Sequence, residues 1–174
     1  MHFVPDVPFA RHAMAIDEYR KDFERVPWGG SKTVPDGDHD GVTRFRQVWF
    51  AGNHSDIGGS YPENESRLSD VALDWMAQFI ESELPETGRV KVNRALLQCY
   101  PAADGMMHDE LMVGHTRADI HFWVAGERRV DPEGELHPSV VQRLGLPSVR
   151  NYSGFGPYRP TALQNHPVAK PFYQ

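Results

Sequence analysis

Four consecutive apolar residues run directly into a glycine and then a histidine in this chain. The stretch is Val48-Trp49-Phe50-Ala51-Gly52-Asn53-His54, and a Gly58-Gly59 pair follows it. A near-continuous apolar run of this length is typical of a strand buried on both faces, as in a parallel sheet that is covered by helices. We therefore predict a strand over residues 45–51 that ends just before an exposed histidine.

Helical spacing is found on both sides of this strand. Apolar residues recur every three to four positions over residues 9–23, which predicts an amphipathic helix. In the second segment Ser69 is the predicted N-cap, Asp70 lies in the first turn and Pro85 ends the helix. The fold class that we expect is α/β, a partial and mostly parallel sheet with flanking helices. The predicted core face of the second helix is Ala72, Trp75, Met76, Phe79 and Ile80.

The second half of the chain gives weaker signals. Residues 90–100 fit a short strand or a short helix, and the aromatic and β-branched content of residues 119–125 predicts a strand. Pro138 suits the first turn of a helix over residues 138–144. Residues 147–174 are proline-rich and have no sustained periodicity. We predict one domain over residues 1–174, with a core portion up to residue 146 and then an extended C-terminal tail packed over it.

Length and charge exclude several classes of function. A chain of 174 residues is long enough for one domain with its own core. Its 18 Lys and Arg against 24 Asp and Glu give a net charge of −6, and neither half has the basic stripe that binding to nucleic acid requires. No apolar run is long enough to predict a transmembrane segment. The N-terminal residues have no basic or apolar signal region, so we expect no signal peptide.

His54 is the strongest candidate for a catalytic residue. An imidazole titrates near neutral pH, so it can take a proton from one group and return it to another. Gly52 and the pair Gly58 and Gly59 allow backbone conformations that other residues avoid. A surface or core histidine without a catalytic role is the alternative. Ser55 and Asp56 are too close in sequence to complete a triad, so we expect them to bond backbone amides of the turn, with contact to substrate or to the ring as the alternative.

A metal site is an alternative at two places. The spacing of Asp36, Asp38 and Asp40 is similar to a calcium loop, but Gln47 stands where that loop needs Glu, which favours a solvated loop. The second place is a group of imidazole and carboxylate side chains, which suits zinc or iron although no His-Glu-x-x-His is present. Its members are His108, His115, Asp119 and His121. Our expectation is no metal and no cofactor.

No serine of the chain lies in a Gly-x-Ser-x-Gly sequence. A nucleophile elbow needs small residues two positions before and after the serine, because the strand-to-helix turn is tight. Ser60 and Ser153 have a glycine beside them, but both fail this pattern. The chain therefore contains a candidate base without a recognisable nucleophile.

Three parts of the chain resemble the α/β-hydrolase family of type VI secretion phospholipase effectors. Residues 11–23 resemble the family's "RHALALDE-R--F" segment, and residues 48–61 with 68–76 resemble its "VWFPGVHSDVGGGY … LSDIAL-WM" signature. Ala51 and Asn53 replace the commoner Pro and Val of that signature. More weakly, residues 137–140 and 158–160 resemble its C-terminal "HPSV … Y-P" region.

The resemblance implies the C-terminal portion of an α/β-hydrolase that acts on a phospholipid or another lipid ester, with His54 as the triad base. The family's Gly-x-Ser-x-Gly motif, and its Trp-Asp-Thr-Val segment with the proposed triad aspartate, precede the first matching stretch and are absent here. We therefore expect a truncated or split enzyme that is inactive alone. The alternative is a non-enzymatic remnant or subunit that docks a partner chain carrying the serine half. The expected location is the cytoplasm of the producing bacterium, with export by type VI secretion as a further possibility.

Overall fold

A parallel sheet of three strands organises the part of the chain that the structure, a computed structural model, describes: residues 7–23, 38–111 and 123–174. In chain order the strands are β1 (Ala10–Ala15), β2 (Asp38–His39), β3 (Val42–Thr43), β4 (Phe45–Phe50), β5 (Glu135–Leu136), β6 (Val149–Asn151) and β7 (Gly154–Gly156). The helices are α1 (His54–Gly58), α2 (Arg67–Gln78), α3 (Arg94–Leu97) and α4 (Pro138–Gly145).

Strand β4 is the centre of the sheet, whose order is β1-β4-β5. Strand β1 pairs with β4 in parallel along its whole length, and β5 pairs in parallel with Val48 and Trp49. Trp49 packs into the larger core cluster, whereas Val48 and Phe50 point to the opposite face and pack into the smaller one. The predicted strand is thus confirmed, and it is buried on both faces as its apolar run indicates.

The helix predicted over residues 9–23 is wrong. Residues 10–15 form β1, and only Lys21–Phe23 form a short helical turn. Met14 packs into the larger core cluster, while Ala13 and Ala15 pack against the smaller one. A strand with apolar residues on both faces also satisfies a spacing of three to four, so periodicity alone does not separate it from a helix. Pairing with β4 decides the conformation.

Helix α2 covers one face of the sheet. It begins at Arg67, so the predicted N-cap at Ser69 is wrong, and the Ser69 hydroxyl instead donates to the carbonyl of Ser66 at 2.8 Å. The ring of Phe50 lies edge-on to Trp75, with centroids 5.4 Å apart. A wider helical turn, Phe79–Glu83, extends the helix and ends before the proline at position 85. The predicted core face is present, since three of its residues are buried: Ala72, Trp75 and Phe79.

Helix α4 and the C-terminal segment cover the other face. The helix predicted over residues 138–144 is confirmed as α4, and its residues Val140 and Leu144 are fully buried in the larger cluster. Residues 147–174 contain the antiparallel hairpin of β6 and β7 and contribute Tyr158, Leu163 and Ala169 to the same cluster. The C-terminal segment therefore supplies part of the main core. The division at residue 146 stays a prediction.

Two weaker predictions have partial outcomes. Residues 90–100 contain the short helix α3. Residues 119–122 of the predicted strand at 119–125 lie outside the described residues. Within the described part, Ala125 forms a single antiparallel bridge with Arg20.

Candidate active site

His54 lies just beyond the carboxyl end of β4, where it is exposed as the first residue of α1. Its backbone N–H donates to Oε2 of Glu18 at 3.1 Å, and its ring contacts the ring of Phe23 with centroids 5.2 Å apart. Across the residues that the structure describes, neither ring nitrogen of His54 has a hydrogen-bond partner. The described residues thus leave both nitrogens open to a nucleophile, a substrate or water.

Glu18 and Arg20 hold this position from the segment after β1. The buried Glu18 carboxylate accepts from the backbone N–H and Nε of Arg20, both at 2.9 Å, and from its Nη2 at 2.7 Å. Burial alone would raise the pKa of Glu18, but the bonds from Arg20 and His54 outweigh burial and lower it. The Arg20 guanidinium lies 3.8 Å from the centre of the Phe23 ring. The ionised carboxylate of Glu18 thus fixes the main chain at His54, and the ring of Phe23 packs against the imidazole of His54.

A mostly apolar pocket of about 440 Å³ opens beside His54. Consecutive residues of a strand point to opposite faces. Since residues 11, 12, 13 and 15 of β1 all line the pocket, it lies along the edge of β1. Within the described part of the chain, β1 pairs only with β4, so the pocket follows its free edge. Helices α1 and α2, together with the glycine that follows α1, line the rest of the pocket with Ile57, Gly58, Gly59, Ser69, Ala72, Leu73 and Met76.

The turn between β4 and α1 requires a glycine at position 52. Gly52 has φ +116°, and a Cβ built there would lie 2.5 Å from Cβ of Asp56. The carboxylate Oδ2 of Asp56 accepts the backbone N–H of Asn53 at 3.1 Å, and Oδ1 of Asn53 accepts that of Asp56 at 2.8 Å. This is a capping box, so the expected bond from Asp56 to a backbone amide of the turn is present. Ser55 is half-buried, and its carbonyl accepts the N–H of Gly59 at 2.9 Å.

His108 joins the same turn from a distant part of the chain. Its backbone N–H donates to Oδ2 of Asp56 at 3.1 Å, and its Nδ1 lies 2.8 Å from Oδ1 of the same carboxylate. Its Nε2 lies 3.2 Å from Oε2 of Glu65, and the ring of Tyr61 stacks on the imidazole with centroids 3.6 Å apart. Nδ2 of Asn53 donates to the His108 carbonyl at 3.1 Å. Burial raises the pKa of Asp56, although the bonds from His108 oppose that rise.

Asp17 is a second buried carboxylate behind the His54 turn. Its Oδ2 accepts the backbone N–H of Gly52 and the hydroxyl of Tyr158, both at 2.7 Å. Burial raises the pKa of Asp17 to about 6, although these two bonds and the charge of Arg143 act in the opposite direction. The carboxylate ties the chain after β1 to the start of the His54 turn and to the C-terminal segment.

Residues 1–79 match a family model described as T6SS, Phospholipase effector Tle1-like, catalytic domain. This part of the chain is therefore similar to that family. The Tle1-like segment contains β1, β4, α1 and α2, and hence His54 with its pocket. His108 and Tyr158 lie beyond it. Neither the curated proteins nor the solved structures contain a match to this chain.

The structure describes only part of each of the two alternative metal sites. Among residues 7–23, 38–111 and 123–174, no group of three or more His, Cys, Asp or Glu side chains could hold a metal ion. Asp38 and Asp40 are described and are exposed. His108, from the second group, is bonded to carboxylates as stated above. The other members lie outside the described residues: Asp36, His115, Asp119 and His121. In the described ranges no helix is long and apolar enough to cross a membrane.

Nothing in the local sequence indicates the roles of His108 and Tyr158. The contact between His108 and Asp56 joins residues 52 positions apart, and the contact between Tyr158 and Asp17 joins residues 141 positions apart. A local motif carries no information on such pairs. The one usable signal is the Asp17-Glu18 pair that follows an apolar strand, because two acids placed there must find donors once they are buried.

Proposed function

We propose that these residues form the histidine-bearing part of a phospholipase-like lipid ester hydrolase, in which His54 is the general base. The supporting observation is the position of its imidazole, which is exposed at the carboxyl end of the central parallel strand and beside an apolar pocket. Ligands of open α/β sheets bind outside the carboxyl ends of the strands. The match of residues 1–79 to a phospholipase effector domain agrees with this reaction class.

The proposed chemistry is acyl transfer. The imidazole takes the proton of a serine hydroxyl as the serine oxygen attacks the ester carbonyl, and it then gives that proton to the leaving alcohol. In the second half the imidazole takes a proton from a water, whose oxygen attacks the carbonyl of the acyl-serine. The bond between the acyl carbon and the serine oxygen then breaks, the imidazolium returns the proton to that oxygen, and the fatty acid is released. The apolar lining of the pocket suits an acyl chain. Ser55, Asp56, Gly58 and Gly59 shape the site in this proposal.

The serine nucleophile is proposed to come from outside these 174 residues. None of the serines among these residues lies in a Gly-x-Ser-x-Gly sequence. Ser69 lines the pocket, but its hydroxyl donates to a backbone carbonyl. A further parallel strand on the free edge of β1 would end beside His54, which is where a nucleophile elbow follows its strand. The enzyme is therefore assembled from this segment and a serine-bearing segment, whether of the same polypeptide or of a partner chain.

A labelling experiment tests this assembly. The 174-residue chain is expressed alone and together with a candidate serine-bearing segment that contains Gly-x-Ser-x-Gly, and both samples are treated with a fluorophosphonate probe. We expect no labelled serine in the chain alone and one labelled serine, on the added segment, in the complex. A labelled serine within residues 1–174 would contradict the proposal.

A second candidate is a non-catalytic subunit that docks a partner along the free edge of β1. An unpaired strand edge is a template for pairing with another chain, which favours this role. The same experiment separates the two candidates, since this subunit would form a complex without any labelled serine. For either candidate we propose export by type VI secretion, the system named for the matched family.

A further inference from the structure

The hairpin of β6 and β7 carries two exposed aromatic side chains at its tip. Phe155 is 79% exposed and Tyr152 is 55% exposed. The strands pair over Val149–Asn151 and Gly154–Gly156, so the tip is a tight turn. Single exposed apolar residues are common on soluble proteins. This pair differs from such single residues because a positively charged side chain lies beside it.

Arg150 lies directly opposite Phe155 in the register of the hairpin. Directly opposed residues of an antiparallel pair share one face, so the guanidinium and the phenyl ring leave the hairpin on the same side. Arg150 is exposed, and its backbone carbonyl accepts from the N–H of Met107 at 3.2 Å. Among the residues that the structure describes, its guanidinium forms no ion pair. The face thus presents an uncompensated cation beside an aromatic ring.

This combination fits the headgroup region of a phospholipid bilayer. Aromatic rings are favoured at the boundary between headgroups and acyl chains, and a guanidinium binds phosphate oxygens in two-point contacts. A specific protein interface buries on the order of 800 Å² per partner, far more than one hairpin tip offers. Contact with a lipid surface needs only a few side chains, so a lipid surface is the partner that the hairpin tip can bind.

We propose that the β6–β7 hairpin binds the surface of an anionic phospholipid bilayer. Tyr152 and Phe155 lie at the level of the headgroups, and Arg150 binds a lipid phosphate. The proposal rests on the lipid substrate of the proposed function but not on the chemistry of His54. The hairpin is also tied to the candidate site, because Arg150 bonds Met107 and the next residue, His108, bonds Asp56 in α1.

Vesicle sedimentation tests this surface with the chain as it stands. Wild-type protein is expected to bind vesicles of phosphatidylcholine with phosphatidylglycerol. The double variant Tyr152→Ser/Phe155→Ser is expected to bind at least about tenfold more weakly, because two aromatic side chains no longer leave water. Arg150→Gln is expected to bind these anionic vesicles about fivefold more weakly and pure phosphatidylcholine vesicles equally well.

Leu96→Ser is the matched control, because Leu96 is 78% exposed on a different element, α3. It should bind like the wild type, as should His54→Asn, whose normal binding separates this proposal from the catalytic one. Circular dichroism and the melting temperature of each variant verify folding. The proposal is overturned if wild-type protein does not bind, if Leu96→Ser weakens binding as much as the double variant, or if the aromatic side chains mediate only self-association in sedimentation velocity.

Discussion

Nδ1 of His108 lies 2.8 Å from Oδ1 of Asp56, the residue two positions after His54. The backbone of His108 is bonded to the same turn at both its N–H and its carbonyl. The loop that carries His108 is therefore fixed to α1 through groups that are largely withdrawn from water. The exposed His54 is thus followed, two residues later, by a buried carboxylate whose two oxygens both accept hydrogen bonds.

The pair of Asp56 and His108 should be strongly coupled in stability. Replacing either partner leaves buried polar groups unmatched, so Asp56→Ala and His108→Ala should each lower the free energy of unfolding by about 3–5 kcal/mol. A double-mutant cycle by urea unfolding should give a coupling energy of about 1–3 kcal/mol. The exposed pair of Glu127 and Arg129 is the control, and its coupling should be much smaller than that of the buried pair. Equal coupling in the two cycles would refute the structural role of the His108 contact.

Asp17 should make the protein less stable as the pH rises from about 4 to 7. Burial raises its pKa from 3.8 to about 6, so over this interval the folded state holds a proton that the unfolded state has released. The favourable contribution of the protonated group is complete below the unfolded pKa and is lost as the pH rises through the folded value. The shift corresponds to a loss of about 3 kcal/mol.

Urea unfolding at pH 4.5 and pH 7 checks the effect of Asp17. Asp17→Asn should lose much less stability over this interval than the wild type, because the amide does not titrate. Asp22→Asn, at an exposed position, should keep the wild-type dependence. If Asp17→Asn and the wild type show the same change with pH, the buried carboxylate is not the group responsible.

A side chain at position 52 should disrupt the turn that carries His54. Gly52→Ala combines a positive φ with a Cβ contact of 2.5 Å to Asp56, so we expect a loss of about 2–4 kcal/mol in the free energy of unfolding. Gly58→Ala is the control, since a Cβ there meets nothing within 4 Å and φ is not positive. It should change stability by less than about 1 kcal/mol. Thermal or urea unfolding of the two variants measures this difference. Similar losses of unfolding free energy in both variants would contradict the geometry of the turn.

The strand before His54 is predictable because Val48, Trp49 and Phe50 are apolar on both faces. The helix α4 is predictable from its proline start and apolar spacing. Strand β1 is not, because its apolar residues face both sides and their spacing imitates a helix. The bonds of Asp17 to Tyr158 and of Asp56 to His108 also escape prediction, since each depends on a contact between distant parts of the chain. His54 is predicted as a candidate base from a local motif, whereas the groups that hold its turn are found only in the tertiary structure.

The turnover of the assembled enzyme tests the role of His54 most directly. The complex of this chain with the proposed serine-bearing segment is assayed for fatty acid release from phospholipid vesicles, with His54→Asn compared with the wild type and with His39→Asn at another exposed histidine. We predict that His54→Asn lowers kcat by at least about a thousandfold, as expected for loss of a triad base, while His39→Asn retains wild-type turnover. Turnover within about tenfold of the wild type in His54→Asn would contradict the account.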